Sequence, residues 1–407
     1  MMLASALLLA LGVRYLGTEV VRAGVADHLA RTRPLAALEW RPGHALALRA
    51  LAEERLVSAR TSSELKANEL LAKDAAQANP SDPRPLRVLA LTAEKQDKLS
   101  VAEDLIARVQ RRTRRDPASL SWSIQLALEK GELGAAASLI DLLWRVEPEL
   151  GDELGAALAV LIEEDARASA IVIEALIADA PWRAPFLGLY PVKVRDPASA
   201  YRLLAAIRER GELRPGELEA YIKRLIADRK YEAAYVAWAQ TLPASAIAES
   251  PSIIFDGGFS RAKVGPPYGW ALLQSAGGFA EIDVPGEAVE GPALKVVYNN
   301  GRGPEELAKQ LLIAPAGRGR LAGLVRWEVA GAATAEWRLT CADDDRLIVA
   351  APLGDPKANV WTGFQATYER PATGCRAQWL TLRMKPGEGL APSRIWFDSL
   401  RLSPLSQ

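Results

Sequence analysis

The segment SIIFDGGFSRAKVGPPYGWALL, residues 252–273, separates two halves of the sequence that differ in hydrophobic period. In residues 19–250, apolar residues recur at i, i+3, i+4 and i+7, which is typical of amphipathic helices. Beyond the segment, apolar and polar residues alternate, as in AEWRLTC at 335–341, and this alternation predicts strands. The segment holds four glycines and two prolines. We therefore expect it to form the opening turns of the second half, with the true linker just before it, at residues 246–251.

Composition excludes several classes of function. The 407 residues contain 50 basic and 50 acidic side chains, so the net charge is about zero and a nucleic-acid partner is not expected. Both histidines, His28 and His44, lie near the N-terminus. Catalysis by Ser-His-Asp or Cys-His groups and zinc held by histidine are therefore excluded for residues 45–407. The acidic run ADDDR, residues 342–346, lacks the apolar shielding that raises a carboxyl pKa, so we expect no enzyme activity and no cofactor.

The first 17 residues form an apolar segment that resembles a signal or an anchor. Its stretch MLASALLLALGV, residues 2–13, is too short to span a bilayer but suits the apolar region of a signal peptide. No basic residue precedes it, and Arg14 follows it at once. Three readings stay open: an export segment that lacks its basic start, an atypical membrane anchor, or the first helix of the array. Export or membrane attachment is the reading we favour.

Residues 18–245 carry a repeat of 34 residues. Ala102 and Ala136 are small residues one period apart, the turns at Asp97 and Gly131 have the same spacing, and a third copy places Ala234 in the small position. This pattern resembles the tetratricopeptide repeat, in which a small residue allows two helices to cross closely. The resemblance implies an all-α solenoid whose concave face docks a protein partner. The open alternative is a spacer that holds another domain at a distance.

Residues 252–407 read as about ten short strands separated by Gly/Pro turns, which predicts an all-β antiparallel sandwich or jelly roll. The predicted strands are 270–274, 278–284, 293–298, 306–313, 320–329, 335–341, 345–351, 361–368, 375–384 and 394–402. The fold class expected for the whole chain is thus α+β multidomain, a helical solenoid followed by a sandwich.

The order of motifs in this half resembles the carbohydrate-binding modules of the galactose-binding-like class. The motifs are an Asp-Gly-x-Phe-type turn at residues 256–259, Trp270 in the first strand, Trp361 and Phe364 in a later strand, and Asp398 in the last strand. The resemblance implies a polysaccharide ligand. Some relatives hold a structural calcium at the first turn, but Ser260 stands where they have an acidic residue, so no metal is predicted.

Four side chains are candidates for sugar contact. Trp379 and Arg383 share a strand face with Ala377 and Thr381, opposite the apolar face of Leu380, Leu382 and Met384. Trp379 is therefore the best candidate for stacking on a sugar ring. Tyr268 and Trp270 follow, because their glycine-proline loop could expose a ring, although a structural role is favoured for Trp270.

Both cysteines, Cys341 and Cys375, lie at ends of predicted strands in the second half. They are either two reduced, buried apolar side chains or a disulfide in an oxidising compartment. We favour the disulfide, which agrees with a location in the periplasm or on the inner membrane facing the periplasm.

The sequence thus predicts a non-catalytic scaffold of the cell envelope, in which the repeats dock a protein and the sandwich recognises polysaccharide, as in exopolysaccharide assembly or export. One alternative is a pure protein–protein scaffold whose sandwich has no sugar ligand. Another is a cytoplasmic adaptor with reduced cysteines.

Overall fold

The computed structural model describes residues 18–211, 213–214, 216–242, 253–260, 265–275, 277–285, 291–299, 305–388 and 391–405. The expected signal or anchor segment, 1–17, and the expected linker, 246–251, lie outside these residues. The chain divides into two compact units between residues 212 and 213. Residues 213–242 therefore share a unit with the strands, whereas the predicted end of the array at 245 rests on sequence periodicity and stays a prediction.

The described part of the first half is helical. The helices are α1 (18–29), α2 (Pro34–Trp40), α3 (Ala45–Ser58), α4 (Ser62–Ala78), α5 (Arg84–Glu94), α6 (Leu99–Arg112), α7 (Pro117–Glu129), α8 (Leu133–Val146), α9 (Gly151–Glu164), α10 (Ala166–Ile177), α11 (Arg183–Lys193), α12 (Pro197–Arg210), α13 (Glu219–Ala227) and α14 (Tyr231–Ala239). None of these helices is both long enough and apolar enough to cross a membrane.

The repeat predicted from spacing is visible in two consecutive hairpins, α5–α6 and α7–α8. Asp97 and Gly131, the predicted turn positions, both adopt a left-handed backbone, with φ of 58° and 70°. Residues 98 and 132 then donate backbone hydrogen bonds to the carbonyl oxygens five residues earlier, at 2.9 and 2.8 Å. Left-handed residues of this kind close the C-terminus of a helix and turn the chain. Ala102 and Ala136 are fully buried, as a close helix crossing requires.

Ion pairs join the first helices of neighbouring hairpins. The guanidinium of Arg87 on α5 contacts both Glu53 on α3 and Asp116, the N-cap residue of α7. One repeat earlier, Arg49 on α3 donates to Asp82 at 3.2 Å. Asp82 and Asp116 are 34 residues apart and each is followed by a proline, so these Asp-Pro pairs repeat with the period of the array and supply the carboxylates that pair with the two arginines. Because the groups are largely buried, we expect them to fix the spacing of successive repeats.

The second half forms two antiparallel sheets. The strands are β1 (Ala271–Leu272), β2 (Gln274–Ser275), β3 (Gly278–Asp283), β4 (Ala293–Tyr298), β5 (Glu306–Leu312), β6 (Gly317–Val329), β7 (Thr334–Cys341), β8 (Leu347–Pro352), β9 (Thr362–Arg370), β10 (Gln378–Lys385) and β11 (Ser393–Pro404). The five-stranded sheet has the order β1-β5-β10-β7-β8, and the six-stranded sheet has the order β2-β3-β4-β11-β6-β9. The predicted fold class, a helical half followed by an antiparallel sandwich, is confirmed.

Alternating side chains of both sheets fill the space between them. On β10, Leu380, Leu382 and Met384 are fully buried, as their alternation predicts. Trp337 of the five-stranded sheet lies edge-on to Phe397 of the six-stranded sheet, with ring centroids 5.5 Å apart. These contacts define one core between the sheets.

The opening turn lies against the last strand. The amide of Leu400 donates to the carbonyl oxygen of Gly257 at 2.8 Å. A Cβ atom at residue 257 would lie 2.0 Å from the carbonyl oxygen of Leu400, so only glycine fits there. Asp256 and Phe259 adopt positive φ, and Phe259 is fully buried. The segment that separates the two periods is therefore a closed turn of the sandwich.

The helix pair α13–α14 contacts the sandwich within the second compact unit. Tyr268 donates a hydrogen bond from its hydroxyl to the carbonyl oxygen of Tyr231, at 2.5 Å. The indole nitrogen of Trp238 donates to the carbonyl oxygen of Gly265 at 3.1 Å, and its ring lies edge-on to Phe255. Helix α14 therefore packs on the segment that leads into β1.

Candidate functional site

The outer face of the five-stranded sheet, the face turned away from the core, combines an aromatic ring with polar and charged groups. Strand pairing places its side chains in rows across β5, β10, β7 and β8. We define this outer face by Lys309, Leu311, Trp379, Thr381, Arg383, Lys385, Thr334, Glu336, Arg338, Thr340, Leu347, Ala350 and Pro352.

Trp379 lies on this outer face, opposite the core side chains that flank it on β10. It is half-buried and pairs in register with Leu311 on one side and Thr340 on the other. The Lys309 ammonium nitrogen lies 5.4 Å from the centroid of the indole ring, at cation–π distance. An aromatic ring beside polar groups suits a sugar, which presents apolar C–H faces and hydroxyls. A ligand-binding role for Trp379 stays a prediction.

The next row consists of Lys309, Thr381 and Arg338. Thr381 pairs with Lys309 on β5 and with Arg338 on β7, so two cationic side chains flank one hydroxyl. The flanking positions of the row carry alanines, Ala271 on β1 and Ala350 on β8. Arg338 forms one ion pair, from Nε to Glu336 at 3.3 Å. The row thus has cationic side chains at its centre and small, uncharged side chains at its ends.

Arg383, the second predicted contact on β10, is tied to an acidic neighbour. Its guanidinium donates to the Glu305 carboxylate, and this hydrogen bond raises the pKa of Arg383. Glu336, beside Arg383, forms an ion pair with Lys385, with 3.0 Å between the Lys385 Nζ and the Glu336 Oε1 atoms. Both acids therefore lie in the row of Arg383 or next to it, and this part of the face is close to neutral. A ligand would have to compete with Glu305 for Arg383.

The structure does not place Tyr268 and Trp270 on this face. Tyr268 is only 2% exposed, because helix α14 covers it, and Trp270 is 7% exposed. The Trp270 indole donates to the carbonyl oxygen of Asp256 at 2.9 Å and packs between Phe259 and Trp337. Neither ring presents a free face, so the expectation that the glycine-proline loop exposes Tyr268 is wrong, and the burial of Trp270 agrees with the structural role favoured for it. Burial raises the pKa of Tyr268.

Cys341 and Cys375 form a disulfide that links the end of β7 to the chain just before β10. Beside it, Asp343 accepts hydrogen bonds from the amide of Arg376 at 2.8 Å and from the hydroxyl of Tyr231 at 3.3 Å. The disulfide therefore lies at the end of the sheet where the Trp379 row begins and where α14 is attached.

A second aromatic site, on the outer face of the six-stranded sheet, was not singled out from the sequence. Trp396 on β11 pairs in register with Lys295 on one side and Arg326 on the other. Both cations lie over its ring, at 5.6 and 5.7 Å, and Trp396 is almost fully buried. Arg326 also lies 5.7 Å from the Trp361 ring. Because these cations cover the Trp396 ring, it presents no open face on which a ligand could stack. The alternation of strand IWFD, which turns Trp396 away from Ile395 and Phe397, is the signal that could have found it.

The first turn offers no cation site in the described part of the chain. The amide and hydroxyl of Ser260 both donate to the same Asp256 oxygen, at 2.8 and 2.9 Å. Asp398 lies near this turn and its pKa is raised by burial. Within the described ranges, no cluster of three or more His, Cys, Asp or Glu side chains is arranged to hold a metal ion.

The helical unit contains a shallow pocket of about 320 Å³ between α8, α9 and α11. Its walls include Trp144, Trp182, Leu189 and three prolines. The two indoles stack at 5.1 Å and are buried, and the nitrogen of Trp182 donates to Asp141 at 2.7 Å. Trp182, just before α11, thus contributes to an aromatic core in this unit.

Comparison with known proteins yields structural likeness alone. No family model matches the sequence, and no curated protein matches it. Solved structures similar to parts of the chain include a CBM4 carbohydrate-binding module, at 15% identity, covering 37% of this chain and 99% of that one, with a TM-score of 0.28. Another is the TmCBM61 module in complex with β-1,4-galactotriose, at 12% identity, covering 38% of this chain and all of that one, with a TM-score of 0.28. A third is pilF of Pseudomonas aeruginosa, at 15% identity, covering 48% of this chain and 89% of that one, with a TM-score of 0.26. Likenesses this weak say nothing about the ligand.

Proposed function

We propose that this protein is a non-catalytic binding protein whose outer sheet face binds polysaccharide at Trp379. The observation that carries the proposal is the position of Trp379, a half-buried indole on the side of β10 away from the core, in a face whose other members are mostly polar or charged. Trp337 on the neighbouring strand, by contrast, is buried in the core between the sheets.

The repeats would then dock a protein partner while the sandwich holds polysaccharide, in exopolysaccharide assembly or export. Such a scaffold needs rigid repeats, and the ion pairs between α3, α5 and α7 support that role. We place the protein in the periplasm or on the inner membrane facing it. The Cys341–Cys375 disulfide supports this placement, because disulfides persist in oxidising compartments.

The test is affinity electrophoresis of the full chain through gels that contain a panel of soluble polysaccharides. We expect retardation by at least one polymer and its loss in Trp379→Ala. The matched control is Trp40→Ala, which removes an indole that is 47% exposed in the helical unit and should leave binding unchanged. Thermal unfolding of both variants shows whether the fold is kept. If Trp379→Ala is folded and still retarded, the proposed site is wrong.

The rival function is a pure protein scaffold in which the sandwich has no sugar ligand. It predicts no retardation by any polymer, with the wild-type chain folded and monodisperse. In that case, the outer face of the five-stranded sheet would be tested for protein contact by cross-linking at residue 379.

A further inference from the structure

We propose that the sugar bound at the outer face is acidic, a polysaccharide of uronic acid residues whose carboxylate sits over Thr381 between Lys309 and Arg338. This inference rests on the proposed function, because it requires that Trp379 stacks on a sugar ring. It adds the chemical class of the ligand, which Trp379 alone does not define.

Lys309 supplies the first observation. Its ammonium group forms no ion pair and no hydrogen bond with the described residues, and its one close partner is the Trp379 ring. The other basic side chains of the face each have a carboxylate: Arg383 has Glu305, and Arg338 and Lys385 share Glu336. An ammonium without a counter-charge, held over an aromatic ring, favours an incoming anion.

The distribution of charge by rows supplies the second observation. The acids near the face, Glu305, Glu306 and Glu336, lie in or beside the row of Arg383. The row of Thr381 carries Lys309 and Arg338 and no acid. An anion centred on Thr381 therefore meets two cations at once, and one placed at Arg383 meets carboxylates on both sides.

Arg338 and Thr381 supply the donors that a carboxylate needs. Arg338 contacts Glu336 only through Nε, so within the described chain its terminal nitrogens have no partner. A guanidinium binds a planar carboxylate through two parallel N–H groups. Thr381 adds a hydroxyl between the two cations, and its side chain makes no hydrogen bond with the described residues. The small side chains at both ends of the row, Ala271 and Ala350, leave space above the sheet for a polysaccharide that runs across the strands.

The row spacing matches a sugar that uses both groups. Trp379 and Thr381 are two residues apart on the same face of β10, so their side chains are about 6.5–7 Å apart along the strand. The carboxylate of a hexuronate lies at the edge of the sugar ring, less than one row spacing from the ring centre, so a ring stacked on the Thr381 side of the indole directs its carboxylate toward the Thr381 row. The Lys309 ammonium then moves from the Trp379 indole to the carboxylate, and the sugar ring stacks on the indole face that the ammonium has left.

The experiment measures binding of the full chain to three uronate polymers (polygalacturonate, polyglucuronate and alginate), three neutral polymers (galactan, glucan and xylan) and poly-glutamate. We expect at least one uronate polymer to bind tenfold or more tightly than any neutral one, and poly-glutamate to bind weakly. Lys309→Gln and Arg338→Gln should each weaken uronate binding by tenfold or more. Trp379→Ala should abolish it. Lys357→Gln, which removes an exposed charge elsewhere in the sandwich, is the matched control and should bind as wild type.

Three outcomes overturn the inference, and they differ in what they leave standing. In the first, a neutral polymer binds as tightly as the uronates or more tightly, Lys309→Gln binds as wild type, and Trp379→Ala does not bind. This outcome supports the proposed sugar-binding function and contradicts the inference that the sugar is acidic. Binding of poly-glutamate as tight as that of the uronates reduces the effect to general attraction of polyanions. Binding of no polymer at all removes the proposed function together with the inference.

Discussion

The hydroxyl of Tyr268 donates to the backbone carbonyl oxygen of Tyr231 at 2.5 Å, and this bond joins the sandwich to helix α14. The Tyr268 ring lies edge-on to Tyr235 and 5.5 Å from Trp238, both on the same helix. The last helix pair is therefore part of the sandwich unit in its packing, although its sequence repeats the small-residue pattern of the array. The sheet that carries Trp379 is held at one end by this helix.

Replacing Tyr268 by phenylalanine keeps the ring and removes the hydrogen bond. We expect the variant to lose about 1 kcal/mol in the free energy of unfolding, since a buried hydrogen bond contributes roughly that much. Tyr235→Phe is the control, because Tyr235 is 41% exposed and its hydroxyl makes no hydrogen bond with the described residues. Urea unfolding followed by tryptophan fluorescence checks both. Equal stabilities of the two variants would contradict a stabilising role for the Tyr268 bond.

Periodicity was enough to predict both halves of the fold, because each element buries one face and its sequence records that face. The turns at Asp97 and Gly131 and the alternation around Leu380 and Trp337 appear in the structure as predicted. Periodicity does not record which distant element covers a loop. The glycine-proline loop reads as exposed, but α14 buries Tyr268, and this contact joins residues far apart in the chain.

The candidate site was predictable only in part. The position of Trp379 and Arg383 follows from the alternation of one strand, since a side chain opposite the core face must point outward. Lys309 and Arg338 lie on other strands, and only strand order and register bring them to either side of Thr381. No spacing in the sequence encodes that register. Alternation turns Trp396 outward, but the cations that cover it, Lys295 and Arg326, come from other strands and depend on the same kind of register.

Asp343 gives a prediction that depends on pH. Burial acts to raise the pKa of Asp343, but hydrogen bonds from the amide and guanidinium of Arg376 outweigh it and hold the pKa below its usual value. A carboxyl whose pKa is lowered by folding stabilises the fold above the pKa of the unfolded chain, about 3.9, and loses that contribution as the pH falls through the folded value. We expect Asp343→Asn to lose about 1 kcal/mol at pH 7 and less at pH 3, because the contribution of the charge begins to fall below the unfolded pKa and is lost completely only below the folded one.

Urea unfolding of wild type and Asp343→Asn at the two pH values measures this difference. Asp355→Asn is the control, because Asp355 is exposed and has no partner among the described residues. A difference between wild type and Asp343→Asn that is as large at pH 3 as at pH 7 would show that the charge of Asp343 is not what stabilises the turn.

Gly257 tests the contact between the opening turn and the last strand. A methyl group at this position would lie 2.0 Å from the Leu400 carbonyl oxygen, so Gly257→Ala must separate the turn from β11 or shift both. We expect a loss of roughly 2 kcal/mol, within the range for overpacked sites. Gly363→Ala, on β9, meets no atom within 4 Å and should change stability by less than about 0.5 kcal/mol. If the two variants melt at the same temperature, the turn is not fixed against β11.

Substitution of Asp116 tests the ion pairs between repeats. Substitution of Asp165, which is an N-cap without such an ion pair among the described residues, measures the contribution of helix capping alone. Both residues are N-caps whose carboxylates accept a backbone hydrogen bond, from Ser119 at 3.0 Å and from Ala168 at 2.7 Å. Of the two, only Asp116 also accepts a hydrogen bond from the guanidinium of Arg87. Replacing either aspartate by alanine removes a cap, which costs about 1 kcal/mol. We expect Asp116→Ala to lose about 1–2 kcal/mol more than Asp165→Ala, because it also leaves the largely buried Arg87 with Glu53 as its remaining carboxylate.

The measurement is urea unfolding of the full chain followed by circular dichroism at 222 nm, which reports the helices. Arg87→Met in the Asp116→Ala background completes a double-mutant cycle. If the arginine spaces the repeats, Arg87→Met should cost less stability in that background than in wild type, because its partner is already absent. Equal costs in both backgrounds would mean that Arg87 and Asp116 act independently. Asp116 would then stabilise the array through its helix cap alone.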